Sequence, residues 1–369
     1  MKIHAFQAYC PNVKLITDPD TFFATVKYDF AKYFKEGFFT EIPEDGFYIC
    51  EIHTASSVHT GFVASVDIEE YLDHHILKHE NTLTSTEENL TELLVQRKAM
   101  IKPVLLTYKP NDKLNKLIRR ARRTEPFFSV YFEREKQEHI YYKISEPDVV
   151  RAFEKAWDEH LPKAYIADGH HRCATSASLY QSLKKNRKSA QNYRYLLCAF
   201  FPFDQLVIHE FNRVVDLPGE ISSTMFLVKL SALCDIKHLN KSTKPRKPHE
   251  LTLYLNREWY RIRWKKKILK KYAQELVIMD TDILNHEVLA DILGIRDVRS
   301  DNRLSYVDGI SGVQGLTEKA EKSALRIGFC LYPITFKDLV TVADAGKTLP
   351  PKSTWFEPRV KNGLISQRI

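Results

Sequence analysis

The chain has 369 residues, 44% of them hydrophobic and 12% aromatic, and a formal net charge of +8. That length suggests two domains, and that composition supports a substantial core. No run of about 18 apolar residues occurs, which argues against a membrane span, and Met1-Lys2-Ile3-His4-Ala5-Phe6 carries no apolar signal region. Six scattered cysteines (Cys10, Cys50, Cys173, Cys198, Cys234 and Cys330) form no CxxC pair and read as reduced thiols, so a cytoplasmic protein is expected. Positive charge gathers at Arg119-Arg120-Ala121-Arg122-Arg123, Lys184-Lys185-Asn186-Arg187-Lys188 and Lys265-Lys266-Lys267. Without an aromatic-interleaved RNA-binding signature or zinc-finger spacing beside them, these clusters read as solvated faces, and a nucleic-acid partner is not expected.

In chain order, Phe47–Ile52 and Gly61–Val66 read as a hairpin. A helix is expected from Val66, with Asp67 as cap and Glu70 three residues on. Leu90, Leu93, Leu94 and Arg97 recur at helical spacing within Thr86–Met100. Val104–Tyr108 is a buried-strand candidate ended by Lys109-Pro110-Asn111-Asp112, and Lys113–Arg123 is a helix candidate. Phe127–Phe132 and His139–Ile144 read as a second hairpin. Asp148–Leu161 reads as a helix with Val149, Phe153, Ala156 and Trp157 on one face. The apolar run Ala164-Tyr165-Ile166 precedes a helix expected over Cys173–Leu183, and Tyr195–Phe203 is a central-strand candidate. A boundary is expected near Asp204, giving an N-terminal α+β domain over 1–204 and a second over 205–369. In the second, Leu239–Pro248 reads as a loop, Leu251–Leu255 and Trp259–Trp264 as a hairpin, and Asp282–Leu293 as a helix ended by Gly294. Arg326–Tyr332 and Leu339–Ala343 read as closing strands. Strands and helices intermixed throughout define an α+β (mixed α/β) class.

Reactive side chains concentrate in three segments. Ala167-Asp168-Gly169-His170-His171-Arg172 lies at a strand-to-helix junction, where unpaired backbone N–H groups and the helix dipole suit an anion. There Asp168 would hold magnesium or polarise a hydroxyl, and His170, His171 and Arg172 would clamp phosphate oxygens. Zinc is disfavoured, because adjacent histidines in a turn diverge and no HExxH spacing occurs. Lys78-His79-Glu80-Asn81-Thr82, at the end of a helix candidate, offers Glu80 as general base or metal ligand. His79 and Thr82 would orient a phosphate or bind magnesium. Either segment could instead be structural, a capped helix start or a polar helix end. In the third segment, Asp344 to Thr354, Gly346-Lys347-Thr348 lacks P-loop spacing, since Thr341 stands where the first glycine belongs. It reads as a proline-stiffened loop able to order over a polyphosphate, or as a rigid surface turn. No GxSxG elbow, kinase set or GxGxxG signature occurs.

Three pieces, Lys78–Thr82, Ile166–Arg172 and Pro350-Pro351-Lys352-Ser353-Thr354-Trp355-Phe356-Glu357-Pro358, stand in an order that resembles the bacterial and archaeal family called domain of unknown function 1015. Asn212-Arg213-Val214-Val215, Leu284 with Leu289 to Gly294, and Asp344-Ala345-Gly346 support it, over a span from about residue 60 to the end. Where the family carries a proline-tyrosine-aspartate-valine stretch, this chain has Val26-Lys27-Tyr28-Asp29-Phe30. The aspartate-glycine-histidine-histidine-arginine motif is also similar to one in free-serine kinases of the ParB/sulfiredoxin-like superfamily. The resemblance implies a ParB/sulfiredoxin-like catalytic core and a small-molecule kinase. That kinase would pass a phosphoryl group from ATP or ADP to the hydroxyl of a free amino acid, with L-serine to O-phosphoserine leading. It implies Glu80, Asp168 and His171 as catalytic residues and Mg2+ on Asp168 and Glu80. His79, Thr82, Gly169, His170, Arg172, Lys352, Ser353 and Thr354 would bind the nucleotide and its phosphates. Two other readings stay open: a phosphatase or nucleotide hydrolase on the same site, and a ParB-like nucleotide-binding regulator associated with DNA. A homodimer is also left open.

Overall fold

In the computed structural model the chain divides into two units, Met1–Val207 with Pro358–Ile369, and Ile208–Glu357. The structure describes residues 1–82, 84–184, 191–323 and 325–369, without the side chains of 84–86. Residues 185–188 of the second basic cluster therefore lie outside the described residues. The class is mixed α+β. The boundary expected after residue 204 compares with a division after Val207, and the terminal residues, expected in the second domain, go with the first. Strand pairing explains why: Ser366–Arg368 pairs with Ala8–Pro11 on one side and Ala99–Met100 on the other. Buried Gln367 also donates from Nε2 to Ser65 Oγ at 2.9 Å.

The first unit is built on a nine-stranded mixed sheet. Its order is Ile76–Leu77, Ala164–Asp168, Val104–Tyr108, Tyr195–Pro202, Val58–Asp67, Phe47–His53, Gln137–Ile144 and Phe128–Phe132, with Ile3–His4 also pairing to Val58–Asp67. The central strands are apolar nearly throughout because both faces are covered. The helix Pro147–His160 covers one of them with Phe153, Ala156 and Trp157. Trp157 lies 4.3 Å from the Phe62 ring, and Phe153 stacks on Phe62 at 5.0 Å. Burying each such ring contributes about 1.5–3 kcal/mol. On the other face of the sheet, Gly61 makes room for the Phe201 ring, which a Cβ there would meet at 2.4 Å.

Several elements differ from their sequence-based expectation. Lys78–Thr82 does not end a helix. It follows the two-residue strand Ile76–Leu77, and the preceding helix is only Glu69–Leu72. The N-cap of that turn is Ile68, not Asp67 as expected; Asp67 accepts from Glu69 N at 3.1 Å, while its other oxygen accepts two Arg194 hydrogen bonds. The helix expected from Cys173 begins at His170, which places both histidines in its first turn. Val26–Phe30 lies inside the helix Pro19–Lys35, with Val26 and Phe30 buried. Leu339–Ala343, expected as a strand, lies inside the helix Phe336–Asp344. A capping box between Thr335 and Asp338 and the spacing of buried Leu339, Val342 and Ala343 outweigh the β-branched run.

The second unit centres on an antiparallel six-stranded sheet in the order Cys234–Leu239, Glu258–Trp264, Glu250–Leu255, Arg326–Cys330, Phe211–Asp216 and Leu304–Asp308. Phe226 and Leu230 of the helix Ser223–Leu233 share one core with Ile283, Leu284, Val288 and Leu289. The last four belong to a segment expected as plain α-helix, which turns π-helical over Leu284–Ala290. All six cysteines are buried and free of disulfides. Among the described residues no helix is long and apolar enough to cross a membrane.

Candidate functional site

The two motif segments of the first unit meet because their strands pair. Ala164–Asp168 runs parallel to Ile76–Leu77, so the chain leaves both strands at the same sheet edge. One exit begins Lys78–Thr82 and the other begins Gly169–Arg172. On its other side Ala164–Asp168 pairs with Val104–Tyr108, and the register slips between Ile166 and Asp168. Such a bulge re-aims the residue that follows it, here Asp168. Gly169 then turns at φ +109°, a backbone state costly for any side chain, and a Cβ there would meet Arg172 Nη2 at 2.8 Å. The helix His170–Leu183 starts directly afterwards, with Gly169 as its N-cap. The positive end of its dipole suits an anion.

Asp168 is the electrostatic centre. Its Oδ2 accepts from Arg172 Nη2 at 2.7 Å and lies 3.2 Å from Lys102 Nζ. Burial alone would raise its pKa, but Arg172, Lys102 and Arg359 outweigh burial and hold the carboxyl well below the usual carboxylate range. Arg172 also donates from Nη1 to the Lys102 and Pro103 carbonyls, which fastens the helix start to the entrance of Val104–Tyr108. Burial lowers the Lys102 pKa, and Asp168 opposes that fall. Three cations thus act on one carboxylate. Lys102 and Arg359 are absent from the sequence reading. Their only cues are position, Lys102 before the buried strand and Arg359 directly after Glu357-Pro358.

The histidines divide by burial. His79 and His170 are buried and meet edge to face at 4.5 Å. The His79 backbone N–H donates to His170 Nε2 at 3.4 Å, which leaves the His170 proton on Nδ1. Nδ1 in turn lies 3.9 Å from Glu80 Oε2. Burial pushes the His79 imidazole down to about 3, and burial, then His79, push His170 well below its ordinary value. Both are therefore neutral near pH 7. They join the two motifs by shape and hydrogen bonding, and the positive charge comes from Lys102, Arg172 and Arg359. His171 and Thr82 are half-buried, and Glu80 is half-buried on its loop.

The donor set expected for magnesium, Asp168 with Glu80, fits poorly. Arg172 and Lys102 already engage Asp168, so a divalent cation there would have to displace two positive groups. Among the described residues no three His, Cys, Asp or Glu side chains gather to hold a metal ion.

Lys352, Ser353 and Thr354 lie in the second unit. Lys352 is exposed and adopts φ +55°, and its ammonium lies 5.2 Å above the Phe211 ring. Ser353 is buried and donates to the Pro350 carbonyl at 2.7 Å.

The first-unit features place one carboxylate and three cations at a strand-to-helix junction on a mixed α+β sheet. The chain matches, over residues 10–285, the family described as "Protein of unknown function (DUF1015)", and it belongs to that family. No curated protein matches it. Solved structures with partial likeness include "SbnI with C-terminal truncation from Staphylococcus aureus", at TM-score 0.43 and 12% identity over 81% of this chain and 85% of that one. A mutant free serine kinase in complex with ADP gives TM-score 0.39 and 11% identity over 82% and 92%. A conserved hypothetical protein from Pyrococcus furiosus gives TM-score 0.37 and 13% identity over 82% and 95%.

Proposed function

We propose that the protein is a small-molecule phosphotransferase, acting in the cytoplasm, whose first unit binds the phosphates of ATP or ADP at the Asp168–Arg172 junction. The observation that carries this reading is the cluster of Arg172, Lys102 and Arg359 around the carboxylate of Asp168, at the N-terminus of the helix His170–Leu183. Phosphoryl transfer is catalysed mainly by positioning and by offsetting charge on the moving group, which is what such a cluster supplies. Lys102 offsets that charge, with His171 on the first turn of the helix His170–Leu183. Arg172, already bonded to three protein acceptors, holds the junction in shape.

Proton removal falls to Glu80. Asp168, held ionised by its cations, is too weak a base to take a proton from a hydroxyl at neutral pH. Glu80 stands on the neighbouring loop with partial access to solvent. Buried, neutral His170 turns Nδ1 towards it at 3.9 Å. The acceptor hydroxyl is assigned to a free amino acid, L-serine first, on the similarity of the Asp168–Arg172 motif to that of the free-serine kinases.

The test is incubation of the full chain with ATP or ADP, magnesium and a pool of free amino acids, followed by mass spectrometry for O-phosphoserine. A phosphorylated amino acid in stoichiometric balance with consumed donor supports the reading. Nucleotide loss without a phosphorylated acceptor makes the protein a hydrolase on the same junction. No turnover, with salt-sensitive DNA binding, returns it to the regulator class.

A further inference from the structure

The basic cluster Arg119–Arg123 is expected on a solvated face, yet two of its arginines line a cavity of about 260 Å³ in the first unit. Asn115, Ile118, Arg119 and Arg122 recur at i, i+3, i+4 and i+7, so the helix Asp112–Ala121 and its C-cap turn one face to that cavity. Thr60 and the segment from Pro202 to Gln205, which ends the strand Tyr195–Pro202, supply the other walls. Pro202 pairs with Tyr108, whereas Asp168 pairs with Leu105. The cavity therefore lies about 10 Å further along the strand Val104–Tyr108 and is no part of the Asp168 junction.

Part of the lining is fixed by the protein. Buried Glu51 accepts from Arg122 Nη1 and from the Tyr142 hydroxyl, which holds the guanidinium in place. Gln205 accepts from Thr60 N at 2.8 Å through Oε1, and from His59 Nδ1 at 2.8 Å through its carbonyl. The rest of the lining is uncommitted. Among the described residues the side chains of Asn115, Arg119 and Asp204 form no hydrogen bond or ion pair. Beside this wall the Tyr108 hydroxyl is buried without a hydrogen-bond partner, and it feels the Asp204 charge. Arg119 and Arg122 carry one sign and Asp204 the other, and no ion pair joins them. Opposite charges thus face one cavity without neutralising each other.

A ligand with a single charge satisfies only one side of such a cavity, whereas a zwitterion matches both. The volume falls below the roughly 300–1,000 Å³ of pockets for drug-sized molecules, and Ile118 and Pro202 are the only apolar residues in the lining. Both facts favour a compact polar ligand. We propose that this cavity is a second small-molecule site, taking a compact zwitterion whose carboxylate meets Arg119 and Arg122 and whose ammonium meets Asp204. Glu51 acts through Arg122, as a positioning residue. The site is defined without the phosphotransferase reading and stands apart from whatever reaction the Asp168 junction carries.

The test is isothermal titration calorimetry of the full chain with glycine, β-alanine and γ-aminobutyrate, which set the two charges progressively further apart and carry no hydroxyl to phosphorylate. Propionate and propylamine are the controls with one charge each. At least one zwitterion should bind about tenfold or more tighter than either control, and the tightest of the three measures the spacing of the two subsites. Arg119 and Asp204 are exposed, so Arg119→Gln and Asp204→Asn should keep the urea midpoint of the unaltered chain. Each should weaken binding at least about tenfold, the usual cost of losing a charged hydrogen bond. The proposal is overturned if no zwitterion binds tighter than the controls, or if either variant keeps full affinity. No nucleotide is present and no turnover is read, so failure of the kinase assay leaves this result standing, and success there does not rescue it.

Discussion

Replacing Asp168 with asparagine keeps the shape of the junction and removes the only negative charge that Arg172 and Lys102 share there. Breaking a buried ion pair from one side costs about 3–5 kcal/mol, because the partner charge is left uncompensated. Here 29% of the Asp168 side chain is exposed, so solvent screening reduces the expected loss to about 2–3 kcal/mol at pH 7. Urea unfolding of the full chain measures it. The sign with pH follows from the lowered pKa. The folded carboxyl ionises more readily than the unfolded one, so its contribution is complete above the unfolded value of 3.8 and disappears as pH falls through the folded value. The gap between the unaltered chain and Asp168→Asn should therefore be full at pH 6–7 and narrow below about pH 4. Arg172→Met should cost about 2–3 kcal/mol as well, since the Lys102 and Pro103 carbonyls lose their donor. The double variant should cost less than the sum by about 1–2 kcal/mol, because either change alone already removes the shared bond. Additivity within about 0.5 kcal/mol, or a gap that persists unchanged to pH 3, would refute the electrostatic account of this junction.

Other variants probe the remaining parts. Glu80→Gln should fold with unchanged urea midpoint and lose at least about a hundredfold in turnover, read as O-phosphoserine formed per minute. Lys102→Met should lower turnover about tenfold to a hundredfold, whereas Lys102→Arg should recover part of it; equal losses in both would remove Lys102 from charge stabilisation. Gly169→Ala should destabilise the first unit by about 1–3 kcal/mol, as measured by thermal unfolding, because φ +109° and the 2.8 Å approach to Arg172 both oppose a Cβ. In the second unit, burial raises the Asp282 carboxyl to about 6 from 3.8, so ionising it costs stability that returns as pH falls from about 6 to 4. Asp282→Asn should thus stabilise the chain by about 1–2 kcal/mol at pH 7.5, after discounting for its partial exposure, and by much less at pH 4.

What the sequence revealed of the site is what lies contiguous in it. Asp168 to Arg172 is readable because strand, turn glycine and helix start follow one another within a few residues, and Gly169 is the kind of residue a positive φ demands. Lys102 was not readable, because it reaches Asp168 only through the pairing of Leu105 with Asp168, sixty-odd residues apart in the chain. The bulge after Ile166 was hidden for the same reason, being a property of two strands together. The meeting of the two histidines was obscured by taking Lys78–Thr82 for a helix end. The strand before it is only two residues long, too short for a period-two pattern to show. The helix Phe336–Asp344 was missed because Val340-Thr341-Val342 favours a strand locally, while the capping box that decides the matter spans Thr335 to Asp338.

Burial then changes what the readable residues can do. Adjacent histidines at a phosphate-shaped turn invite a cationic role, and two of the three histidines in the motif segments are denied it by their depth. His79 and His170 are placed where a charge would be expensive, and their lowered pKa values follow from that depth first and, for His170, from His79 second. Asp168 experiences the opposite balance: it too is pressed towards neutrality by burial, but Arg172, Lys102 and Arg359 overcome the pressure. One strand-to-helix junction therefore holds a carboxylate that stays ionised and imidazoles that stay neutral under the same conditions. Glu80, partly exposed on the neighbouring loop, is the other carboxylate beside these groups. If Glu80→Gln retained turnover while His171→Ala abolished it, the proton would have to pass through the half-buried histidine instead.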